Sequence, residues 1–402
     1  MKKALIVGSG RSGRGMLGEL YEKDGFLPVF ADIDGDMLEG LKKQGYYKVS
    51  MTDLKNNQEE IRRIDHFEVL DINKEYDNYV KSLAETKYVS SALMPDAFDH
   101  FAKAIADAVI YRKRNGIVSP LYITLGANYV GLRQKYQDLI RSHLGYDIDE
   151  EKDNVHLIMS IVNRKNLLPD DPDRYEDLYR IIGDNKSVLR VDDNPYLMKE
   201  KDHPSFFRFE AGLDGAMAVK IWTGNVVQCS MAFVALNKGF KDTYEASHDA
   251  QAASYAFFAS KEAYDAVAKE YKLPPRSEED TLYTVTVFRN EEFHDSLYRI
   301  AREPIRKFKR NDRFIGPALC CLKHGILPYY ITRCLAYGFL YRNEDEIQTA
   351  QLGSYIEENG IEKAVEYYCE FDRHNRDEDL LIQMIVAHYR DITETDPLEE
   401  KE

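Results

Sequence analysis

The chain has 402 residues, of which 44% are hydrophobic and 31% charged, and its formal net charge is −15 at pH 7. This length exceeds what one hydrophobic core ordinarily supports and predicts two domains, and the composition is that of a folded globular protein rather than a disordered one. The acidic balance argues against general nucleic-acid binding, and no apolar run approaches the ~20 residues that a membrane span requires.

The first part of the chain alternates strand-like and helix-like segments. Residues 3–8 and 27–32 are predicted as buried strands, with a helix from about Gly13 to Lys23 between them. Further strands are predicted at 67–72, 88–92, 121–125 and 155–162, with helical segments between them, most clearly over 97–114. Strands that alternate with helices form a parallel sheet covered on both faces. The sequence therefore predicts an α/β N-terminal domain of the Rossmann type with a parallel sheet.

The second half of the chain has a different composition and sequence pattern. Region 163–204 is rich in proline and acidic residues, and we place the domain boundary there, which gives predicted domains of 1–200 and 201–402. The second domain is predicted to be mostly α-helical. Its predicted helices span 225–238, 244–271, 291–301, 313–324, 329–341, 344–357, 360–371 and 377–390.

A GxGxxG motif begins at Gly8, directly after a strand and directly before a helix. In that context Gly8 permits a tight turn, Gly10 lets the backbone approach a pyrophosphate, and Gly13 lets the helix pack on the strand. Asp32 ends the second strand, where a carboxylate accepts hydrogen bonds from the adenosine ribose and repels a 2′-phosphate. The sequence therefore predicts a site for NAD(H) rather than NADP(H).

Two arginines, Arg11 and Arg14, stand within this glycine-rich segment. Contact with a phosphate and a solvated position without ligand contact are equally good interpretations of each. For the whole segment the alternative is a glycine-rich turn that binds nothing, but the order strand, loop, helix, strand and acid favours a dinucleotide site.

A second candidate site lies at Lys220-Ile-Trp-Thr-Gly-Asn225-Val-Val-Gln228. We expect a helix to begin after Gly224, which puts Asn225 and Gln228 on one face of its first turn. A lysine just before a helix, in a desolvated cleft, has a lowered pKa and can take a proton from an alcohol, while an asparagine can bind the developing oxyanion. Spacing alone is weak evidence, because lysines before helices are more often solvated.

The most basic segment of the chain lies between residues 299 and 313. Its cations are opposed only by Glu303 and Asp312, and they are Arg299, Arg302, Arg306, Lys307, Lys309, Arg310 and Arg313. The first three recur at helical spacing, and arginine forks suit phosphate or carboxylate. The pattern predicts an anion site, and the alternative is a solvated face paired with the acidic remainder of the chain.

The five cysteines form no CxxC pair and the ten histidines form no HxxxH or HExxH pattern. These patterns predict reduced thiols in a reducing compartment and no metal site. The N-terminus has too short an apolar stretch for a signal peptide, and we therefore expect a cytoplasmic protein.

In their order and spacing these motifs resemble the polyol-specific long-chain dehydrogenase/reductase family, and most closely its branch that acts on mannitol 1-phosphate. The family's KxxxxNxxH motif keeps its lysine and asparagine as Lys220 and Asn225, and its histidine is replaced by Gln228. Its GxGxxGRG opening is matched from Gly8 to Gly15, and its strand-ending FAD by Phe30-Ala31-Asp32.

Three further segments of the family have counterparts here. The asparagine of its central EN pair is kept as Asn128, whereas the acid is replaced by Ala127. Its Asp-Arg pair corresponds to Asn163-Arg164, and its R-x-x-R-E-P-x-R-K segment is intact from Arg299 to Lys307. The resemblance runs from residue 1 to about residue 340.

The resemblance implies an NAD-dependent enzyme without a metal that interconverts a sugar alcohol phosphate and its ketose phosphate. It implies Lys220 as general base, Asn225 and Asn128 as catalytic partners, and substrate contacts from Gln228, Arg299, Arg302 and Lys307. Gly8, Gly10, Arg11, Gly13 and Asp32 are the residues expected to bind NAD. The expected partner is a small-molecule substrate, with no nucleic acid and no membrane, and the sequence makes no prediction of oligomeric state.

The departures from the family pattern leave alternatives open. A hexuronate reductase and a dehydrogenase of unphosphorylated polyols are two other activities of this family, and an NAD-binding sensor with little turnover is a third interpretation. Either His248 or His294 is a candidate to fill the space left by the replaced histidine, although both are more often surface or structural residues.

Overall fold

The structure, a computed structural model, describes residues 2–53, 58–152, 154–169, 177–290 and 295–395. The chain divides into two compact units, Met1–Leu213 and Asp214–Glu402. The strands of the first unit are β1 (Lys2–Val7), β2 (Phe26–Asp32), β3 (Tyr47–Asp53), β4 (Gln58–Ile64), β5 (Glu68–Asp71), β6 (Tyr88–Ala92), β7 (Leu121–Gly126), β8 (Val155–Ile161), β9 (Asn166–Leu167), β10 (Ile181–Asp184), β11 (Leu189–Asp192) and β12 (Phe207–Glu210).

The main sheet of the first unit has the strand order β12-β11-β8-β7-β6-β1-β2-β5. Neighbouring strands from β8 to β5 run parallel, whereas β11 pairs with β8 in the antiparallel sense. Because β1 lies between β2 and β6, the order of the strands reverses between β1 and β6, which creates a topological switch point at their carboxyl ends. The predicted Rossmann-type domain is confirmed, with an antiparallel extension that the sequence did not predict.

Helices cover the main sheet of the first unit. They are a π-helical turn (Gly13–Gly18), α1 (Glu19–Lys23), α2 (Gly35–Gln44), α3 (Tyr76–Glu85), α4 (Phe98–Arg114) and α5 (Leu132–Leu144). The local sequence determines both ends of α2. At its start, Asp34 accepts a hydrogen bond from the Met37 amide at 3.0 Å, and at its end Gly45 adopts φ 72°.

A second sheet of the first unit, in the order β4-β3-β10-β9, is missing from the sequence-based prediction. Strand β4 reads Gln-Glu-Glu-Ile-Arg-Arg-Ile and is mostly exposed, so it has no buried apolar run. Strands β9 and β10 are only two and four residues long and lie within the region predicted as loop. Their pairing depends on contacts between distant segments, which local patterns do not report.

The second unit is helical, as predicted. Its elements are α6 (Leu213–Ala218), a π-helical turn (Val219–Gly224), α7 (Asn225–Asn237), α8 (Thr243–His248), α9 (Ala250–Tyr271), α10 (Glu278–Thr286), α11 (Leu297–Ala301), α12 (Pro304–Lys307), α13 (Ile315–Lys323), α14 (Tyr329–Leu340), α15 (Ile347–Asn359), α16 (Ile361–Tyr368) and α17 (Arg376–Thr395). The helix predicted over 244–271 is interrupted at Asp249, whose carboxylate accepts from the Ala252 amide at 2.8 Å and caps α9.

Helix α7 forms the centre of this unit. It is apolar on all sides and almost wholly buried, as expected of a helix surrounded by others. Helix α9 packs against it through small side chains, which let the two backbones approach closely: Ala252, Ala256, Ala259, Ala263 and Ala266. Among the described residues, the helix Leu213–Asn237 is long and apolar enough for a membrane span, but 61% of its apolar window is buried inside the protein, as in many core helices.

Candidate functional site

The glycine-rich turn after β1 is built from close backbone contacts. Gly8 has φ +90°, donates its N–H to the Ala31 carbonyl at 2.9 Å, and would place a Cβ 2.6 Å from the Ala92 carbonyl oxygen. A Cβ on Gly13 would lie 1.9 Å from the Gly8 carbonyl oxygen. A Cβ on Gly10, by contrast, would meet no atom within 4 Å. Gly8 and Gly13 are therefore needed for packing, whereas Gly10 leaves backbone open to a ligand.

Asp32, at the end of β2, organises this turn. One of its carboxylate oxygens accepts from the Ser9 N–H at 2.6 Å and from the Ser9 hydroxyl at 2.9 Å. The other accepts from the N–H groups of Ile33 at 2.8 Å and Asp34 at 3.1 Å. These donors use the carboxylate's main acceptor positions, so a ribose hydroxyl that binds Asp32 would take the place of the Ser9 hydroxyl.

The two arginines of the turn have different roles. Arg14 is 4% exposed, and its guanidinium donates to the carbonyl oxygens of Ser9 at 2.8 Å and Tyr179 at 3.0 Å. Burial lowers its pKa, and the solvated position offered for Arg14 by the sequence is therefore wrong, whereas contact with a phosphate stays a prediction. Arg11 is exposed at the start of the helix and stays a candidate for phosphate contact.

A buried ionic cluster supports the glycine-rich helix from behind. Glu19 is 1% exposed and accepts from Arg62 at 2.6 Å and from Arg164 at 3.0 Å. Arg164 also donates to the carbonyl oxygen of Gly15 at 2.8 Å. The Asn163-Arg164 pair singled out in the sequence therefore includes a residue that anchors the helix after the glycine-rich turn to the segment after β8.

Asn128 follows β7 at the carboxyl edge of the sheet, the same edge as Gly8, because β1, β6 and β7 are adjacent and parallel. The strand ends are closely spaced there, since a Cβ on Gly126 would lie 2.5 Å from the Ser91 carbonyl oxygen. Asn128 itself is exposed. The first unit thus presents the glycine turn, Asp32 and Asn128 along one edge of its sheet.

Lys220 lies within a continuous helix, Leu213–Asn237, rather than before the start of one. The prediction of a helix beginning at Asn225 is therefore wrong, and the argument from a helix N-terminus does not hold. The Asn225 N–H donates to the Lys220 carbonyl, a bond from residue i+5 to residue i that widens the helix into a π turn over Val219–Gly224.

This π turn determines which side chains share a face. In a regular α-helix Asn225 would lie about 140° around the axis from Lys220. The i to i+5 hydrogen bond instead stacks Asn225 over Lys220, and Gln228 follows three residues later on the same side. All three side chains are half-buried. Asn225 and Gln228 therefore share a face, as predicted, but Lys220 belongs to the same helix instead of preceding it.

Side-chain contacts hold the π turn. The Thr223 hydroxyl donates to the Val219 carbonyl at 2.6 Å, and the Trp222 indole N–H donates to the Asn311 carbonyl at 3.2 Å. A Cβ on Gly316 would lie 2.4 Å from the indole nitrogen of Trp222, so α13 packs directly against the turn. No sequence pattern indicated this turn, because Gly224 has the appearance of a helix boundary.

Most cations of the basic segment are neutralised. The ion pairs are Arg299 with Asp295, Arg306 with Glu303 and Asp312, Lys309 with Glu370, Arg310 with Glu378, and Arg313 with Asp312. Within the described part of the chain, Arg302 and Lys307 have no ion-pair partner. The face expected for Arg299, Arg302 and Arg306 is broken, since α11 ends at Ala301 and Glu303 has φ 56°.

Lys307 is 3% exposed, and burial lowers its pKa to about 8, with the nearby Arg313 acting in the same direction. Arg313 donates to the Cys229 sulfur at 3.4 Å, and Cys229 follows Gln228 on α7. Lys307, the last residue of α12, and Arg313 both lie near Cys229, on the helix that carries Lys220. Arg313 was predicted only as one cation of the basic segment, and Cys229 was not predicted as part of a site, although its position beside Gln228 was a usable signal.

The structure describes only one of the two candidate histidines, and it does not show that one beside Gln228. His248 is exposed at the end of α8, where its Nδ1 contacts the Tyr244 carbonyl at 2.9 Å. His294 lies outside the described residues. Arg299, also expected to contact substrate, is exposed and held by Asp295 through two hydrogen bonds.

Known proteins resemble both units. A family model described as the mannitol dehydrogenase Rossmann domain matches residues 2–178, and one described as the mannitol dehydrogenase C-terminal domain matches residues 217–393.

Individual relatives resemble almost the whole chain. A mannitol-1-phosphate 5-dehydrogenase of Buchnera aphidicola is 25% identical over 92% of the chain and 94% of that protein. Another, of Thermoanaerobacter pseudethanolicus, is 26% identical over 98% and 99%. The structure of a Pseudomonas fluorescens mannitol 2-dehydrogenase with NAD and D-mannitol is similar in fold, with a TM-score of 0.70, 13% identity, and coverage of 98% of this chain and 92% of that one.

Proposed function

The chain belongs to the mannitol dehydrogenase family, and from this premise we propose that it is an NAD-dependent oxidoreductase that interconverts a sugar alcohol phosphate, similar to mannitol 1-phosphate, and the corresponding ketose phosphate. The relatives named mannitol-1-phosphate 5-dehydrogenase, which align over more than nine-tenths of the chain, support this substrate class. The observation that carries it is the pair Arg302 and Lys307, which have no ion-pair partner among the described residues of a segment whose other cations are paired.

The glycine turn fits a dinucleotide. Gly10 exposes backbone where a pyrophosphate would approach, Gly8 and Gly13 hold the turn, and Arg11 lies exposed beside it. Asp32 binds the adenosine ribose and repels a 2′-phosphate, which favours NAD over NADP. When bound, NAD⁺ supplies the hydride acceptor.

Lys220 is the proposed general base. Its Nζ takes the hydroxyl proton of the substrate as the adjacent carbon loses hydride, and returns it in the reverse reaction. Asn225 donates its amide N–H to the same oxygen while negative charge develops there. The i to i+5 stacking of these residues supports this division of roles. The part proposed for Asn128, as a further donor to that oxygen, rests on the family resemblance.

Gln228 is proposed to bind a substrate hydroxyl. Its amide both donates and accepts hydrogen bonds but carries no charge and transfers no proton. Acid–base chemistry is therefore assigned to Lys220, since Gln228 cannot share it.

Arg302 and Lys307 are proposed to bind the phosphate. Arg302 offers a guanidinium fork at the surface, and Lys307 offers a buried ammonium that an anion would stabilise. Arg299 is proposed as an outer contact that would exchange its bond to Asp295 for one to substrate. We also propose a cytoplasmic location, which agrees with five free, buried cysteines.

A substrate panel tests the proposal. Oxidation of NADH is measured with fructose 6-phosphate, fructose and a ketouronate, each repeated with NADPH. We expect the highest kcat/KM with NADH and the phosphate ester. A preference for the ketouronate would support the hexuronate alternative, which the same cations could serve. Binding of NADH without turnover of any ketose would support the sensor interpretation and contradict the proposed activity.

A further inference from the structure

Three side chains of the second unit converge at the ends of two helices. Glu270 stands in the last turn of α9, Cys320 in α13, and His324 directly after α13. Their ligand atoms, one from each residue, all lie within 4.8 Å of one another. Cys320 and His324 are four residues apart and therefore project from the same side of α13, while Glu270 reaches them from the neighbouring helix.

We propose that Glu270, Cys320 and His324 bind a zinc ion. The set combines a thiolate, an imidazole and a carboxylate, the three ligand types that zinc takes in proteins, and it leaves a fourth position for water. In a tetrahedral zinc site the ligand atoms lie roughly 3.3–3.8 Å apart. Side-chain rotations that shift each ligand atom by about an ångström are therefore enough to form the site. The thiol proton leaves to solvent as the zinc–sulfur bond forms.

The existing contacts of this cluster are compatible with such a site. The Nε2 of His324 lies 2.7 Å from Oε2 of Glu270, so two of the ligands already face each other. Cys320 is 6% exposed, so its thiol is shielded from bulk solvent. The other two residues are half-buried, which leaves a route from solvent.

One ion pair of the cluster competes with metal binding. The Lys323 ammonium lies 2.8 Å and 2.7 Å from the two carboxylate oxygens of Glu270, where it repels a cation and competes for its ligand. The Lys323 side chain is 64% exposed, so it can swing into water at little cost. Lys269 also approaches, but its ammonium donates to the His324 backbone carbonyl at 3.3 Å and leaves the imidazole accessible.

A zinc ion bound here would cross-link two helices that are distant in sequence. Zinc would join the carboxyl end of α9 to that of α13, and the amino end of α13 packs on Trp222 of the π turn. The site contains none of the residues assigned to the reaction. It goes beyond the proposed function and can fail or succeed independently of it.

The test uses the full-length chain after chelator treatment and dialysis. Titration with zinc chloride in a calorimeter is expected to give one ion per chain, and Co²⁺ is expected to give a thiolate-to-cobalt absorption band. Cys320→Ser and His324→Gln are each expected to weaken zinc binding by about 100-fold. Cys321→Ser is the matched control, because its hydroxyl can keep the bond that the thiol makes to the Glu262 carbonyl at 3.3 Å.

Two further results decide the assignment. Lys323→Ala is expected to tighten zinc binding by about tenfold, because it removes the competing ammonium, and an unchanged affinity would contradict Glu270 as a ligand. The half-exposed His324 makes His324→Gln a variant that folds even if Cys320→Ser does not. Absence of stoichiometric binding, or binding that survives His324→Gln unchanged, overturns the site.

Discussion

The backbone N–H of Asn225 donates to the carbonyl oxygen of Lys220, five residues earlier in the same helix. This single bond inserts one extra residue into the helical turn and stacks two side chains that a regular α-helix would direct apart. π turns of this kind cost stability and recur at functional sites. The relationship makes the position of the proposed base a property of local backbone geometry, which mutation can test.

Lys220→Ala is expected to lower kcat/KM by about 10³-fold, because removal of a general base typically costs 10² to 10⁴. Binding of NADH, measured by fluorescence, should not change. Lys241→Ala, at an exposed lysine shortly after the same helix, is the control and should keep full activity. If Lys220→Ala retains turnover, the base is another residue.

Thr223→Val tests the π turn itself. It keeps the shape of the side chain but removes the hydroxyl that donates to Val219, and we expect a loss of about 1 kcal/mol of unfolding free energy and about tenfold in kcat. Thr223→Ser restores the donor and should restore kcat. A loss of stability in Thr223→Val with kcat unchanged would mean that the turn holds the fold without positioning Lys220.

The parts of the fold that were predictable from sequence are those determined by local apolar pattern. Strand β7 and the second part of β1 are buried and read as largely apolar runs, and the glycine motif between β1 and its helix has a fixed spacing. Strand β4 and the π turn were not predictable. Strand β4 has no buried apolar run, and the π turn depends on a partner distant in sequence, since Trp222 donates to Asn311.

The same division applies to the candidate site. Lys220, Asn225 and Asp32 could be proposed from motif and spacing, because each stands at a fixed distance in sequence from the other residues of its motif. Which cations of the basic segment lack partners could not, since Arg310 and Lys309 find their carboxylates in Glu378 and Glu370, about 60 residues further along. Burial of Lys307 likewise follows from tertiary packing.

Arg302→Ala is expected to raise KM for a phosphorylated substrate by 10- to 100-fold, since a charge-assisted hydrogen bond contributes about 1.5–3 kcal/mol. KM for the corresponding neutral polyol should change little. Lys309→Ala, at an exposed lysine paired with Glu370, is the control for general loss of positive charge. Equal effects of Arg302→Ala on both substrates would exclude a phosphate contact.

Asp32→Asn is expected to raise KM for NADH at least tenfold and to reduce the preference for NADH over NADPH, because the neutral amide no longer repels a 2′-phosphate. Asp34→Asn is the matched control. Its carboxylate caps α2 through the Met37 amide, so we expect some loss of stability with cofactor preference unchanged. An unaltered preference in Asp32→Asn would place the discriminating group elsewhere.

Lys307→Met connects stability with substrate binding. The folded-state pKa of Lys307 is lowered to about 8, below that of an unfolded lysine near 10.4, so the unfolded chain binds more protons between these values. The folded wild-type protein therefore carries a burial penalty below pH 8, on the order of 3 kcal/mol at most, which is relieved as pH rises towards 10.4.

Chemical denaturation of Lys307→Met should accordingly show greater stability than wild type at pH 7, with the difference shrinking above pH 8. The same variant should lose affinity for the phosphate ester, and wild-type KM for that ester should rise above pH 8 as the ammonium loses its proton. Stability that is lower in Lys307→Met at pH 7 would mean that the ammonium is satisfied within the fold. Lys307 would then be a structural residue, and phosphate binding would depend on Arg302 alone.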